Sequence, residues 1–166
     1  VYSLKAKERS RLRNHETKEV LRQLSETLNI DTSNLVAEKL EVAKFRPNIK
    51  IFMVRDVPAF VSFEDKLFPT MTFEPLLKKL PSLIVDMGAV PHVCNGSNVM
   101  APGIVRVEGA FEKGAIAVVR DEKHLKPIAV VKTLSGSLEM ETIKRGKVAE
   151  NLHYVGDEVW RIMKLV

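Results

Sequence analysis

The sequence predicts an α+β chain of two domains, a small α/β domain over residues 1–81 and a mostly β domain over residues 82–166. Three observations carry this. One amphipathic helix near the start is followed by segments rich in β-branched and aromatic residues. At Leu80-Pro81-Ser82 the pattern changes to short apolar runs divided by turns. Just beyond, VDMGAVPHVCNGSNVMAPGI (85–104) packs three glycines and two prolines around one formal charge, Asp86.

In the first half, Asn14 is placed to cap a helix, with Glu16 and Glu19 near its positive end. Val20, Leu21, Leu24 and Leu28 recur at helical spacing, and the helix is expected to stop around Asn29 to Asp31. VAEKLEVAKF (36–45), IKIFMVRDV (49–57) and PAFVSF (58–63) follow as strands, with a turn at Arg46-Pro47-Asn48. A short helix over 73–80 is expected after Thr72, with Pro75 tolerated in its first turn. In the second half, SLIVDM, NVMAPGIVRV, GAIAVVRD, KPIAVVKTL and KVAENLHYV read as strands, and Ser137 is placed to cap a helix over 138–145. Five or six short strands in about 80 residues suit a closed or nearly closed small barrel, which hides its edges.

Composition narrows the function. Apolar residues make up 45% and charged residues 28% of the 166 residues, as in ordinary globular proteins. No apolar run approaches the roughly 20 residues of a membrane span, the first residues lack the apolar core of a signal peptide, and Cys94 is the single cysteine. The expectation is a soluble cytoplasmic protein with no membrane partner. Net charge is +5, and it is uneven: residues 1–82 carry 15 Lys/Arg against 11 Asp/Glu, residues 83–166 carry 11 against 10. Much of the excess lies at Lys5, Lys7, Arg9, Arg11 and Arg13, which read either as a solvated arm or as a contact to nucleic-acid phosphate.

No catalytic, cofactor or metal constellation emerges. There is no Gly-Lys-Ser/Thr phosphate loop, and Gly88, Gly96 and Gly103 lack dinucleotide spacing. His92 and Cys94 have no companions at zinc spacing. The pairs Glu64-Asp65, Asp121-Glu122 and Asp157-Glu158 read as solvated turns, and Asp86 as a carboxylate satisfied by nearby backbone N–H groups. The glycines leave two readings open: tight turns, or a surface where a ligand lies against bare main chain.

Residues 85–140, with KRGKVAENLHYVGDEVW behind them, resemble a PUA domain. The motifs are D-x-G-A at Asp86–Ala89, G-x-x-x-x-x-P-G-I at Gly96–Ile104 and G-K-x-x-E-N-L-H-Y at Gly146–Tyr154. With LFPTMTFEPLLKKLP before them, the chain is similar to the malignant T-cell-amplified sequence family and its archaeal relatives. The resemblance implies a pre-PUA domain followed by a six-stranded PUA pseudobarrel, without enzymatic activity or cofactor. It implies RNA binding in translation, to tRNA ends or to the ribosomal RNA of the small subunit during initiation or recycling, with a translation-factor partner protein. An accessory subunit or fragment of an RNA-modification system, and a protein-interaction scaffold, are the alternatives. Carried onto this chain, the RNA-contacting face comprises Gly88, Ala89, His92, Asn95, Gly96, Ser97 and Asn98, with Lys147 for phosphate. That stretch is poor in Lys and Arg, so main chain and shape are expected to dominate, with charge from Lys5 to Arg13 or the other domain.

Overall fold

The computed structural model describes residues 8–166 and divides into two compact units. One comprises the described residues through Leu76 together with Arg161–Val166; the other is Leu77–Trp160. Among the described residues no helix is long and apolar enough to cross a membrane.

The first unit is an antiparallel meander, β1 (Glu8–Arg11), β2 (Leu40–Arg46), β3 (Ile49–Val54), β4 (Val57–Phe63) and β5 (Lys66–Pro69), in that spatial order. Between β1 and β2 run α1 (Asn14–Leu28) and α2 (Ser33–Val36), and α3 (Glu74–Leu77) follows β5. In α1, Leu21, Leu24 and Leu28 are buried, as their spacing requires. The cap is Arg13 rather than Asn14. Arg13 has extended backbone, and its N–H donates to the Glu16 carboxylate at 2.7 Å, so the helix caps itself from inside. Asn29, at φ +52°, ends the helix in the left-handed region.

Two elements differ from the expectation because of turn chemistry. The boundary placed at Pro58 lies instead at Arg55-Asp56, where both residues have positive φ, +50° and +64°. Glu64-Asp65 repeats this conformation, at +49° and +63°, and creates β5, a strand the sequence reading did not include. The commonest two-residue hairpin turn has both central residues left-handed, because that twist matches the flanking strands. Pro58 stays within β4 beside a register shift opposite Met53. The helix expected over 73–80 is a single turn, α3. Residues 8–11, read as part of an arm or a phosphate contact, are the edge strand β1, paired with residues 41–44.

The second unit holds a six-stranded sheet ordered β7-β11-β10-β9-β6-β8. These are β6 (Ser82–Val85), β7 (Val99–Met100), β8 (Ile104–Glu108), β9 (Ile116–Asp121), β10 (Pro127–Thr133) and β11 (Lys147–Tyr154). Only β6 and β9 run parallel. The edge strands β7 and β8 are joined by just three residues, the 3₁₀ turn Ala101–Gly103. So short a link forces the sheet to curl until its edges meet, which makes the pseudobarrel. Leu83, Val85, Val119, Ala129, Val131 and Val148 fill it from inside. β6 is buried at all four positions.

Around the barrel stand α4 (Val90–Val93) and α5 (Ser137–Met140), and α6 (Glu158–Met163) follows β11. The structure revises four sequence expectations here. The cap of α5 is Gly136, and Ser137 instead uses its hydroxyl to accept the Phe111 N–H at 3.2 Å. The helix ends at Met140, well short of residue 145. Asp121 is buried rather than solvated, accepting the N–H groups of Lys123, His124 and Lys126 at 2.6–3.0 Å. Asp157 accepts from Tyr154 N–H and Trp160 N–H and pairs with His153 Nδ1, which caps the unforeseen helix α6. Burial pushes the Asp157 carboxyl up, but His153 and those N–H groups outweigh it and leave it below the usual range.

Candidate functional site

The glycine-rich stretch builds one wall of an open cleft of about 770 Å³ at the seam between β7 and β8. Its local logic starts at Asp86, whose carboxylate oxygen Oδ1 accepts the Ala89 N–H at 2.8 Å. Pro91 follows in the first turn of α4, where a missing N–H does no harm. The helix closes with the Gly96 N–H on the Val93 carbonyl (3.0 Å) and the Ser97 N–H on the His92 carbonyl (3.0 Å), a Schellman cap. Such a cap needs a left-handed residue, and Gly96 has φ +92°. A Cβ there would also lie 3.1–3.2 Å from the Tyr154 ring, so the glycine is required twice over. Gly103 answers to packing alone: a Cβ on it would come within 3.0 Å of the Ala89 Cβ.

Asn151, which the sequence reading did not single out, ties this wall to the barrel. Its Nδ2 donates to the carbonyls of Val93 and Ser97, both at 3.0 Å, and its backbone N–H donates to Asn98 Oδ1 at 2.9 Å. The signal was present within the G-K-x-x-E-N-L-H-Y motif, but only the fold places β11 against the end of α4.

Of the expected contact residues, Ala89, His92, Ser97, Asn98 and Lys147 line the cleft together. Gly88, Asn95 and Gly96 do not; Gly88 and Asn95 are exposed outside it and Gly96 is packed beneath Tyr154. Asp86, Val93, Val99, Met100, Pro102 and Gly103 complete the lining. Met100 is half exposed, and Lys147 is exposed with Nζ 3.9 Å from Glu150 Oε1. Cys94 packs beside the core, and burial raises its thiol pKa, which disfavours the reactive thiolate.

The basic N-terminal residues meet different fates. Lys5 and Lys7 lie outside the described residues. Arg9 donates through Nε to Glu41 at 2.6 Å and pairs through its other end with Asp56, so its charge is held within the sheet. Arg11 lines a separate shallow groove of the first unit with Lys18 and Lys39, and Arg13 is an exposed helix cap.

The curled six-stranded sheet, with its short helix and glycine loop at the seam, is that of a PUA domain. Residues 81–155 match the PUA domain family, and residues 8–79 match a domain of unknown function, DUF1947. The Uncharacterized protein MJ1432 of Methanocaldococcus jannaschii is 40% identical over 116 residues, covering 68% of this chain and 70% of that protein. Translation machinery-associated protein 20 of Saccharomyces cerevisiae is 26% identical over 129 residues, covering 74% of this chain and 71% of that protein. A crystal structure of the hypothetical protein PH0734.1 from Pyrococcus horikoshii superposes with a TM-score of 0.79 at 30% identity, covering 94% of this chain and 99% of that one. The chain belongs to the family of PUA proteins with an N-terminal pre-PUA domain that includes MJ1432 and the malignant T-cell-amplified sequence proteins.

Proposed function

We propose that the chain is a non-enzymatic RNA-binding protein of the translation machinery, composed of a pre-PUA domain up to residue 81 and a PUA domain from residue 82. It takes single-stranded RNA, a tRNA end or a segment of small-subunit ribosomal RNA, in the cleft at the seam. The observation that carries this is the convergence of His92, Ser97, Asn98 and Lys147 on that cleft. An exposed imidazole and the half-exposed Met100 offer faces for an unstacked base, the glycine loop offers main-chain groups, and Lys147 offers a cation for phosphate. The name of the yeast relative supports a role in translation. Such a role places the protein in the cytoplasm, acting beside other translation factors.

The test is a titration of the full chain, followed by fluorescence anisotropy, against tRNA, tRNA lacking its single-stranded 3′ end, and duplex RNA, at two salt concentrations. His92→Ala/Lys147→Ala and Arg11→Ala are measured alongside. Removal of the 3′ end and the double substitution are each expected to weaken binding about tenfold or more. Few phosphates should be neutralised, giving a salt slope near the value for one or two single-strand phosphates, roughly −0.7 each. Equal and steeply salt-sensitive binding to all three RNAs, lost in Arg11→Ala, would move the site to the first unit. No RNA binding by the wild-type chain would sink the proposal.

A further inference from the structure

The groove of the first unit, about 320 Å³ in volume, lies where the start of α1 meets the link between α2 and β2. The Leu12 N–H donates to the Leu40 carbonyl at 2.9 Å and fixes that junction. Three cations line the groove, Arg11 from β1, Lys18 from α1 and Lys39 from the link, and none makes an ion pair among the described residues. Local sequence explains why each is left over. Glu41, opposite Arg11 in the strand register, is taken by Arg9 at 2.6 Å. The residues three and four positions from Lys18 are Asn14, His15, Leu21 and Arg22, so its helix offers it no carboxylate. Glu38, the one carboxylate among the described lining residues, is turned to Arg55, whose Nε donates to Oε2 at 3.1 Å.

Thr17 points to what the cations hold. It stands in the first turn of α1, lines the groove and is only 7% exposed, yet its hydroxyl makes no hydrogen bond among the described residues. A hydroxyl so nearly buried normally has a partner. An open donor beside three cations, at the positive end of a 15-residue helix, selects an acceptor that is itself an anion. The phosphodiesters of a strand carry one charge each and stand in a row, so a strand is met by cations spaced along it. Three cations gathered on one small groove match a group that carries about −1.5 to −2 by itself near neutral pH, as a phosphomonoester does. The volume, at the low end for ligand pockets, suits one such group.

We propose that this groove binds a phosphomonoester. Arg11 presents its planar fork, Lys18 and Lys39 act as point charges, and the Thr17 hydroxyl donates from the floor. The site is separate from the cleft of the second unit and does not depend on RNA binding there. Two sources carry the group, a small phosphorylated molecule such as a free nucleotide and the 5′-phosphorylated end of an RNA.

The experiment titrates the ¹⁵N-labelled full chain with inorganic phosphate, adenosine 5′-monophosphate and dimethyl phosphate at fixed ionic strength, following the amide signals of Thr17, Lys18 and Lys39. The two monoesters should give saturable shifts, and dimethyl phosphate, with its single charge, should bind about tenfold more weakly or worse. Thr17→Val, which removes the hydroxyl and keeps the shape, should weaken phosphate about tenfold. Lys18→Ala/Lys39→Ala changes only exposed side chains, should weaken it about a hundredfold, and serves if Thr17→Val fails to fold, as judged by its melting temperature. Anisotropy of 3′-labelled single-stranded RNA with a 5′-phosphate or a 5′-hydroxyl separates the sources. Tighter binding of the phosphorylated RNA, lost in Lys18→Ala/Lys39→Ala, assigns the RNA end; equal binding of the two RNAs, with the monophosphate bound, assigns the small molecule. Phosphate shifts no larger than those of chloride, equal midpoints for phosphate and dimethyl phosphate, or midpoints unchanged in Lys18→Ala/Lys39→Ala overturn the proposal.

Discussion

Asp121 shows how a single carboxylate can organise a loop. Three backbone N–H groups converge on it from the turn between β9 and β10, and the turn contains Leu125 at φ +55°, a left-handed conformation that branched apolar residues avoid. The His124 N–H is the largest influence holding the Asp121 carboxyl below its ordinary value near 3.8. Burial pushes the other way, and the N–H groups of Lys126 and Lys123 add to the lowering. A carboxylate favoured in the folded state stabilises the protein above its unfolded pKa, and that contribution is lost as pH falls through the folded value. Asp121→Asn, which keeps one acceptor oxygen, should therefore destabilise by about 1–3 kcal/mol at pH 7. The gap from wild type should begin to narrow as pH falls below about 4, where the unfolded carboxylate takes up its proton, and close only below the lower folded value. Urea midpoints at pH 7, 5 and 3 decide this; a gap independent of pH would mean that shape rather than charge holds the loop. The sequence alone showed an Asp-Glu pair in a turn. Its burial depends on the parallel neighbour β6, whose Val85 carbonyl accepts the Glu122 N–H at 3.0 Å, a contact between residues distant in sequence.

Among the elements, the hairpins of the first unit carry the clearest departure from turn preference. Arg55-Asp56 and Glu64-Asp65 all have positive φ without a glycine among them. Left-handed backbone disfavours any residue with a Cβ, and the commonest solution is Asn-Gly. Glu64→Asn/Asp65→Gly should stabilise the chain by about 0.5–1 kcal/mol, seen as a higher urea midpoint with an unchanged slope. A lower midpoint would show that the side chains of Glu64 and Asp65 contribute more than the turn geometry costs. The turn itself was readable as an acidic pair after an alternating run, but β5 behind it was not. KLFP is only four residues long and gains its pairing from β4, with Phe68 opposite Val61. The edge strand β1 was hidden for a similar reason. Its charged residues look solvated in isolation, and become a strand only because β2 supplies backbone partners and Glu41 an ion pair for Arg9.

At the scale of the molecule, the chain crosses from the first unit to the second and its last six residues, Arg161–Val166, cluster with the first. Ile162 and Met163 are buried there, at 0% and 5% exposure. Ending the chain after Trp160 removes both. Burial of one such side chain contributes about 1.5–3 kcal/mol, so the loss should be roughly 3–6 kcal/mol, a large share of a typical domain's stability. Thermal unfolding of the truncated chain should show an early transition, with fluorescence from Trp160 as a local probe. An unchanged melting curve would mean that these residues contribute little despite their burial.

What the sequence determined by itself was local or repeated along the chain. The spacing of Leu21, Leu24 and Leu28 specifies one helix face; the apolar runs around Val118 and Val130 specify buried strands; and three motifs, at Asp86–Ala89, Gly96–Ile104 and Gly146–Tyr154, suffice for the family. Periodicity and turn chemistry act over a few residues, so they survive in a linear reading. Tertiary structure alone decided at which glycines packing leaves no room for a Cβ, and it made Asn151 the tie between β11 and the wall of the cleft. It likewise divided Arg9 from Arg11 and brought Asp86 and Lys147 to one cleft. Each of these depends on contacts between residues distant in sequence: the pairing of β1 with β2 for Arg9, and for the rest a barrel closed by three residues between its edge strands.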